Sequence, residues 1–73
     1  MPLAMLSQGD SAVVKAIKWG NEMKKRLTGM GLIEGSPIKL ISSSGKDGFI
    51  LDVKGSRLVV GRTVALKILV DNA

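Results

Sequence analysis

Residues 23–35 (MKKRLTGMGLIEG), followed by Ser36, Pro37, Ile38 and Lys39, constrain the fold of this chain more than any other stretch. Met23, Leu27 and Met30 stand at i, i+4 and i+7, the spacing that places three side chains on one face of a helix. Gly31 follows where a helix needs a left-handed residue to stop, and Leu32 beyond it can pack back on the last turn. Gly35 permits a reversal, and Pro37 presets the backbone as a strand begins. The segment predicts a short helix, a glycine stop and an immediate strand.

The remainder reads as strands. Residues 1–8 are a weak segment whose Leu3 and Leu6 can pack across a barrel floor, and Gln8-Gly9-Asp10 is a turn. Residues 11–18 are strand-like with Val13, Val14 and Ile17 apolar; Val14 and Ile17 are three apart, which a bulge would reconcile. Trp19-Gly20 ends that strand, and Asn21 is the expected N-cap of a helix over residues 22–30, with Glu22 favourable at its positive end. A second strand is expected over residues 37–42 and a polar turn over 43–48. Phe49, Leu51 and Val53 alternate with Ile50, Asp52 and Lys54, the two-residue period of a strand with one buried face. Lys54-Gly55 connects tightly into residues 57–60, predicting a hairpin. Residues 61–65 fit a single helical turn, and residues 66–70 a closing strand. The chain is therefore expected to be mainly β: a small barrel of about five strands, with one short helix between the first two and one helical turn before the last.

Seventy-three residues make one domain, residues 1–73, near the lower limit for folding without staples. At this length an aliphatic core contributes about 3–5 kcal/mol net, so association would help. The absence of Cys removes disulfides, and the absence of His as well leaves none of the usual zinc, iron or copper ligand sets. Met1, Met5, Met23 and Met30 suggest a soft-metal site only superficially, because Met23 and Met30 stand at core spacing. No cofactor is expected. Lys67 interrupts the longest apolar C-terminal run, well short of the ~20 residues of a membrane span, and residues 3–6 are too short for a signal sequence. The expected compartment is the cytoplasm, with no membrane insertion.

Catalysis has little to work with, since His, Cys and Tyr are all missing and the six carboxylates are scattered. Asp47 and Asp52 are the nearest pair, and turn carboxylates at such positions are normally solvated. Asp10 reads as turn chemistry too. Ser43-Ser44-Gly45-Lys46 resembles the end of a phosphate-binding loop but has Leu40 where its first glycine belongs and Asp47 where Ser or Thr should follow the lysine. Binding is the remaining class. The net charge of +5 suits an acidic partner. On the helical wheel Lys24 and Lys25 point away from the apolar stripe, and Arg26 flanks it with a guanidinium able to make bidentate contacts. Trp19 is first a lid on the core, and beside this basic face it is also a fitting interface anchor. Trp19, Lys24, Lys25 and Arg26 are therefore the candidate partner-binding residues. Nucleic acid is disfavoured, because single-strand binders stack bases on aromatics and this chain offers only Trp19 and a Phe49 expected to be buried. Self-association through exposed strand edges is a third reading.

Taken in order, these segments resemble the ferrous iron transport protein A (FeoA) family and, more distantly, the C-terminal barrel domain of iron-dependent repressors. Leu6-Ser7-Gln8-Gly9 is similar to the family's opening Leu-x-x-Gly. Arg26-Leu27-Thr28-Gly29-Met30-Gly31-Leu32, with Gly35, is similar to its Arg-Leu-x-x-(Met/Leu)-Gly-Leu-x-x-Gly core. Gly48-Phe49-Ile50-Leu51-Asp52-Val53 with Gly55 resembles its central hairpin, and residues 58–62 and 65–70 its closing turn and strand. The resemblance implies an SH3-like barrel. It also implies a non-catalytic cytosolic accessory protein of bacterial ferrous iron uptake, acting on FeoB, the permease with a cytosolic GTP-binding domain.

Overall fold

The computed structural model describes residues 1–44 and 48–72. A 3-10 turn, Leu3–Met5, precedes β1 (Ser11–Ile17), α1 (Asn21–Gly29), β2 (Pro37–Ser44), β3 (Gly48–Val53), β4 (Ser56–Val60), α2 (Arg62–Lys67) and β5 (Ile68–Asn72). All strands are antiparallel in one sheet of order β4-β3-β2-β1-β5. The five strands enclose one aliphatic core, to which Leu40, Leu51, Ile68 and Val70 contribute fully buried side chains. The expected mainly-β barrel, with a helix between its first two strands, is the observed architecture.

Two irregularities bend the sheet. The β1–β5 register shifts between Val14 and Ala16, so Lys15 is the extra residue. That bulge resolves the imperfect alternation of β1, because Val14 and Ile17 both end up buried. A second shift, between Leu40 and Ser42 on β2, leaves Ile41 extra against β3. Alternation on β3 is as expected, with Phe49, Leu51 and Val53 inside. The hairpin to β4 turns on Lys54 (φ 53°) and Gly55 (φ 87°), and Gly55 N–H donates to Asp52 Oδ1 at 2.8 Å. Positive φ at both central residues is the tight-turn geometry that matches strand twist.

Several boundaries differ from the sequence expectation. The second strand runs two residues beyond Ser42, to Ser44. Of the expected 43–48 turn, residues 45–47 lie outside the described residues, and so does Asp47 of the proposed carboxylate pair. The expected helical turn at 61–65 is a helix, Arg62–Lys67, and the last strand begins at Ile68 instead of Leu66. Ala65 N–H donates to Gly61 O at 2.9 Å and the Ala65 side chain is buried, so the helix is held by its own bonding and by packing. Leu66, released from the strand, is exposed.

The N-terminal segment packs as anticipated. Leu3 and Leu6 are buried, and the 3-10 turn lies against α2 and β5. Ser7 N–H donates to Asp10 Oδ2 at 2.8 Å, so that carboxylate shapes the turn into β1.

Candidate docking surface

Helix α1 hangs on the barrel by a narrow footing. Leu27 is its buried residue, and Met23 is half-buried against the core. Met30 departs from the expected stripe: it is the C-cap residue, with φ −91° and ψ 2°, and is 46% exposed. The reason is the stop itself. Gly31 takes φ +92°, its N–H donates to Thr28 O (3.0 Å), and Leu32 N–H donates to Leu27 O (2.9 Å). This paired bonding turns the chain at the helix end so that Leu32 is fully buried while Met30 stays outside. At the other end Gly20 is the N-cap and Asn21 is already helical, with no side-chain cap bond. The expected Asn21 cap is therefore corrected; the chain leaves β1 one residue too early for Asn21 to stand outside the helix.

A second anchor, unmarked by any sequence motif, holds the helix exit. Ser36, 3% exposed, donates its Oγ–H to Gly31 O at 3.1 Å. Gly35 N–H donates to Val14 O (2.7 Å) and Val14 N–H to Ser36 O (2.9 Å), stitching the connection to β1. The basic face thus projects from an element fixed at its C-terminal end by hydrogen bonds.

Lys24, Lys25 and Arg26 are all exposed and, among the described residues, make no ion pair. The ion pair present there is Lys15 with Asp71 on adjacent strands, at 4.0 Å and solvent-exposed, a geometry of little energetic weight. Trp19 is half-buried against the core, as the lid reading requires. The four candidate residues do not converge on one cleft. Trp19 and Arg26 line a shallow cleft of about 390 Å³ with Asn21, Glu22 and Met23. Lys24 and Lys25 border another, of about 330 Å³, with Asn21 and Thr28. A third, of about 320 Å³, runs between the helix and its exit loop and is lined by Ile17, Lys24, Thr28, Ile33 and Glu34. Sequence reasoning missed Ile33, which is 40% exposed. The signal was present in Leu32-Ile33: once Leu32 is drawn inward by the glycine stop, its neighbour must face out.

The surface is therefore a cationic ridge with apolar flanks. Among the described residues no three of the side chains that commonly bind metal gather within reach of one ion. Asp10 and Asp52 are engaged in turns. No described helix is long and apolar enough to cross a membrane.

Comparison with known proteins bears on the family and the fold. The model of the FeoA domain family matches residues 1–72. A protein of Methanocaldococcus jannaschii named "Putative Fe(2+) transport protein A" is 38% identical over 72 residues, which cover 99% of this chain and 87% of that one. The crystal structure of an iron uptake regulatory protein (FeoA) superposes with a TM-score of 0.91 at 29% identity, over 100% of this chain and 96% of the other. The Stenotrophomonas maltophilia FeoA–zinc complex, described as a prokaryotic SH3 domain protein, shares the fold with a TM-score of 0.82 at 24% identity, covering 97% and 89%. The IdeR of T. acidophilum contains the same fold in 34% of its length, with a TM-score of 0.89 at 24% identity over all of this chain. The barrel is thus SH3-like, and a chain matched from its first residue to residue 72 by the family model belongs to the FeoA domain family.

Proposed function

We propose that this protein is a non-catalytic accessory protein of ferrous iron uptake that works in the cytosol on FeoB, the permease bearing a GTP-binding domain. Family membership over nearly the whole chain carries the reading. The exposed cations of α1, which make no ion pair among the described residues, support a docking role, since such charges remain available to an acidic surface. Lys24, Lys25 and Arg26 supply the electrostatic part of the contact, and Trp19 with Met23 supplies an apolar anchor beside it. Iron itself is cargo of the system, and these residues do not need to touch it. Nucleic acid is a poor alternative: Trp19 is half-buried and Phe49 buried, leaving no stacking platform on the barrel.

The test is a titration against the isolated cytosolic region of a cognate permease, with binding and GTP turnover followed together. Saturable binding that weakens with added salt is the expected result. The double variant Lys24→Glu, Lys25→Glu should lose binding by roughly tenfold or more while its amide spectrum stays that of the folded barrel. Unchanged affinity in that variant would remove α1 as the contact; no binding by the folded wild type would remove the accessory role itself.

A further inference from the structure

The two edges of the sheet are treated differently. On β5 the outer edge is covered: Pro2 bridges to Leu69, and Val70 N–H donates to Met1 O at 2.7 Å. On β4, the opposite edge, no strand among the described residues pairs with the outer side. The two-residue turn fixes which groups are left over. Val53 and Ser56 flank it as a mutually bonded pair, so Leu51–Leu58 and Phe49–Val60 are also bonded pairs, while Arg57 and Val59 alternate with them. The backbone N–H and C=O of Arg57 and Val59 therefore point away from β3. Neither residue has another partner among the described residues.

Side chains on that edge are equally distinctive. Arg57 and Val59, two residues apart, share the outer face of the sheet, and both are exposed. Val59 is 61% exposed, beside the half-buried Ile50 across the hairpin. Arg57 is a charge of the kind that blunts an edge, whereas the exposed Val59 beside it is not among the protective devices. Lys54 at the turn and Arg62 just past the strand are exposed as well, so the edge and both its ends are cationic. Asp52, opposite Arg57, is occupied by the Gly55 N–H and forms no ion pair with it.

Charge decides between the possible occupants. A second copy pairing antiparallel about Leu58 would set Arg57 against Val59 of its mate and bring the two Arg57 side chains to diagonal positions, about 7–8 Å apart. Two chains of net charge +5 would meet along a cationic seam. An acidic strand meets the opposite situation. We propose that the free edge of β4 accepts, by strand addition, an extended segment of a partner protein that presents an acidic and an apolar residue two apart, on the same face of the strand. Arg57 and Val59 supply the backbone bonds, Arg57 pairs with a carboxylate, and Val59 with Ile50 receives an apolar side chain. This stands apart from the iron-uptake reading and from the α1 surface, which lies on a different element.

The test uses the full chain and a synthetic peptide, Glu-Thr-Val-Thr-Glu-Thr-Val with blocked ends, which sets Glu and Val in turn on one face, against its counterpart with Lys in place of Glu. Amide exchange followed by NMR should show the Arg57 and Val59 amides becoming protected as the acidic peptide saturates, with no effect from the lysine peptide. Val59→Pro removes one outward N–H at a position where an edge strand tolerates proline, and should abolish the protection of the remaining Arg57 amide. Arg57→Glu, at an exposed site, should weaken the acidic peptide roughly tenfold and turn preference toward the lysine peptide. Three results would overturn the assignment: no saturable change in a folded chain, changes confined to α1 amides, or protection of Arg57 and Val59 that rises with protein concentration alone. The last would make a second copy the occupant.

Discussion

At the scale of single residues, Gly48 is the position with least freedom. Its φ is +88°, and a Cβ added there would sit 2.5 Å from Val60 O and 3.2 Å from Gly61 Cα. Those atoms are backbone at the end of β4, which cannot rotate aside as a side chain would. Gly31, with φ +92°, would bring a Cβ only to 3.4 Å from Val53 Cγ1, an ordinary contact. Gly31→Ala should thus cost about 1–2 kcal/mol from the left-handed backbone alone. Gly48→Ala should cost more, about 3 kcal/mol, because the close approach is added to the same strain. Urea unfolding of the two variants gives the comparison, and equal losses would mean that β4 yields to the added methyl. The sequence shows both glycines but not this difference, since only the neighbouring strand distinguishes them.

At the scale of elements, local chemistry and tertiary contact divide the work unevenly. β3 is legible because strict alternation has one solution, Phe49, Leu51 and Val53 inward. The glycine stop of α1 is legible for a similar reason: Gly31 and Leu32 form a local motif whose bonds close within six residues. The extent of α2 was not legible, because residues 62–67 mix helix-formers with the apolar pattern of a strand, and burial of Ala65 settled the matter. Ser36 shows the same limit, as its hydroxyl has meaning only beside the Gly31 carbonyl. Ser36→Ala should lower stability by about 1 kcal/mol. Hydrogen exchange should accelerate in the last turn of α1 while β2–β3 amides keep their protection; uniform acceleration would show that α1 and the barrel open as one unit. Lys24, Lys25 and Arg26 are exposed, as their places on the helical wheel predict, yet their split between two flanks of the helix follows from where α1 rests on the barrel.

At the scale of the whole molecule, stability rests on a single small core closed from below by the N-terminal turn. Leu3 is fully buried in a segment that carries little secondary structure of its own, between α2 and β5. Leu3→Ala should remove about 2–5 kcal/mol, comparable with the net stability of about 3–5 kcal/mol expected at this size. Thermal unfolding should fall by about 8 °C or more, on the order of 4–8 °C per kcal/mol for a domain this small, and a fall of a degree or two would mean the floor is dispensable. The sequence by itself determined the element types, the buried face of β3, the bulge of β1 and the helix stop, because each depends on side-chain period or backbone permissiveness within a few residues. Only the tertiary structure decided that Leu32 is buried while Met30 stays outside, that Gly48 faces backbone, and that β5 is covered while β4, among the described residues, is left open. Those outcomes depend on which segments distant in the chain are brought together, and local periodicity carries no record of that.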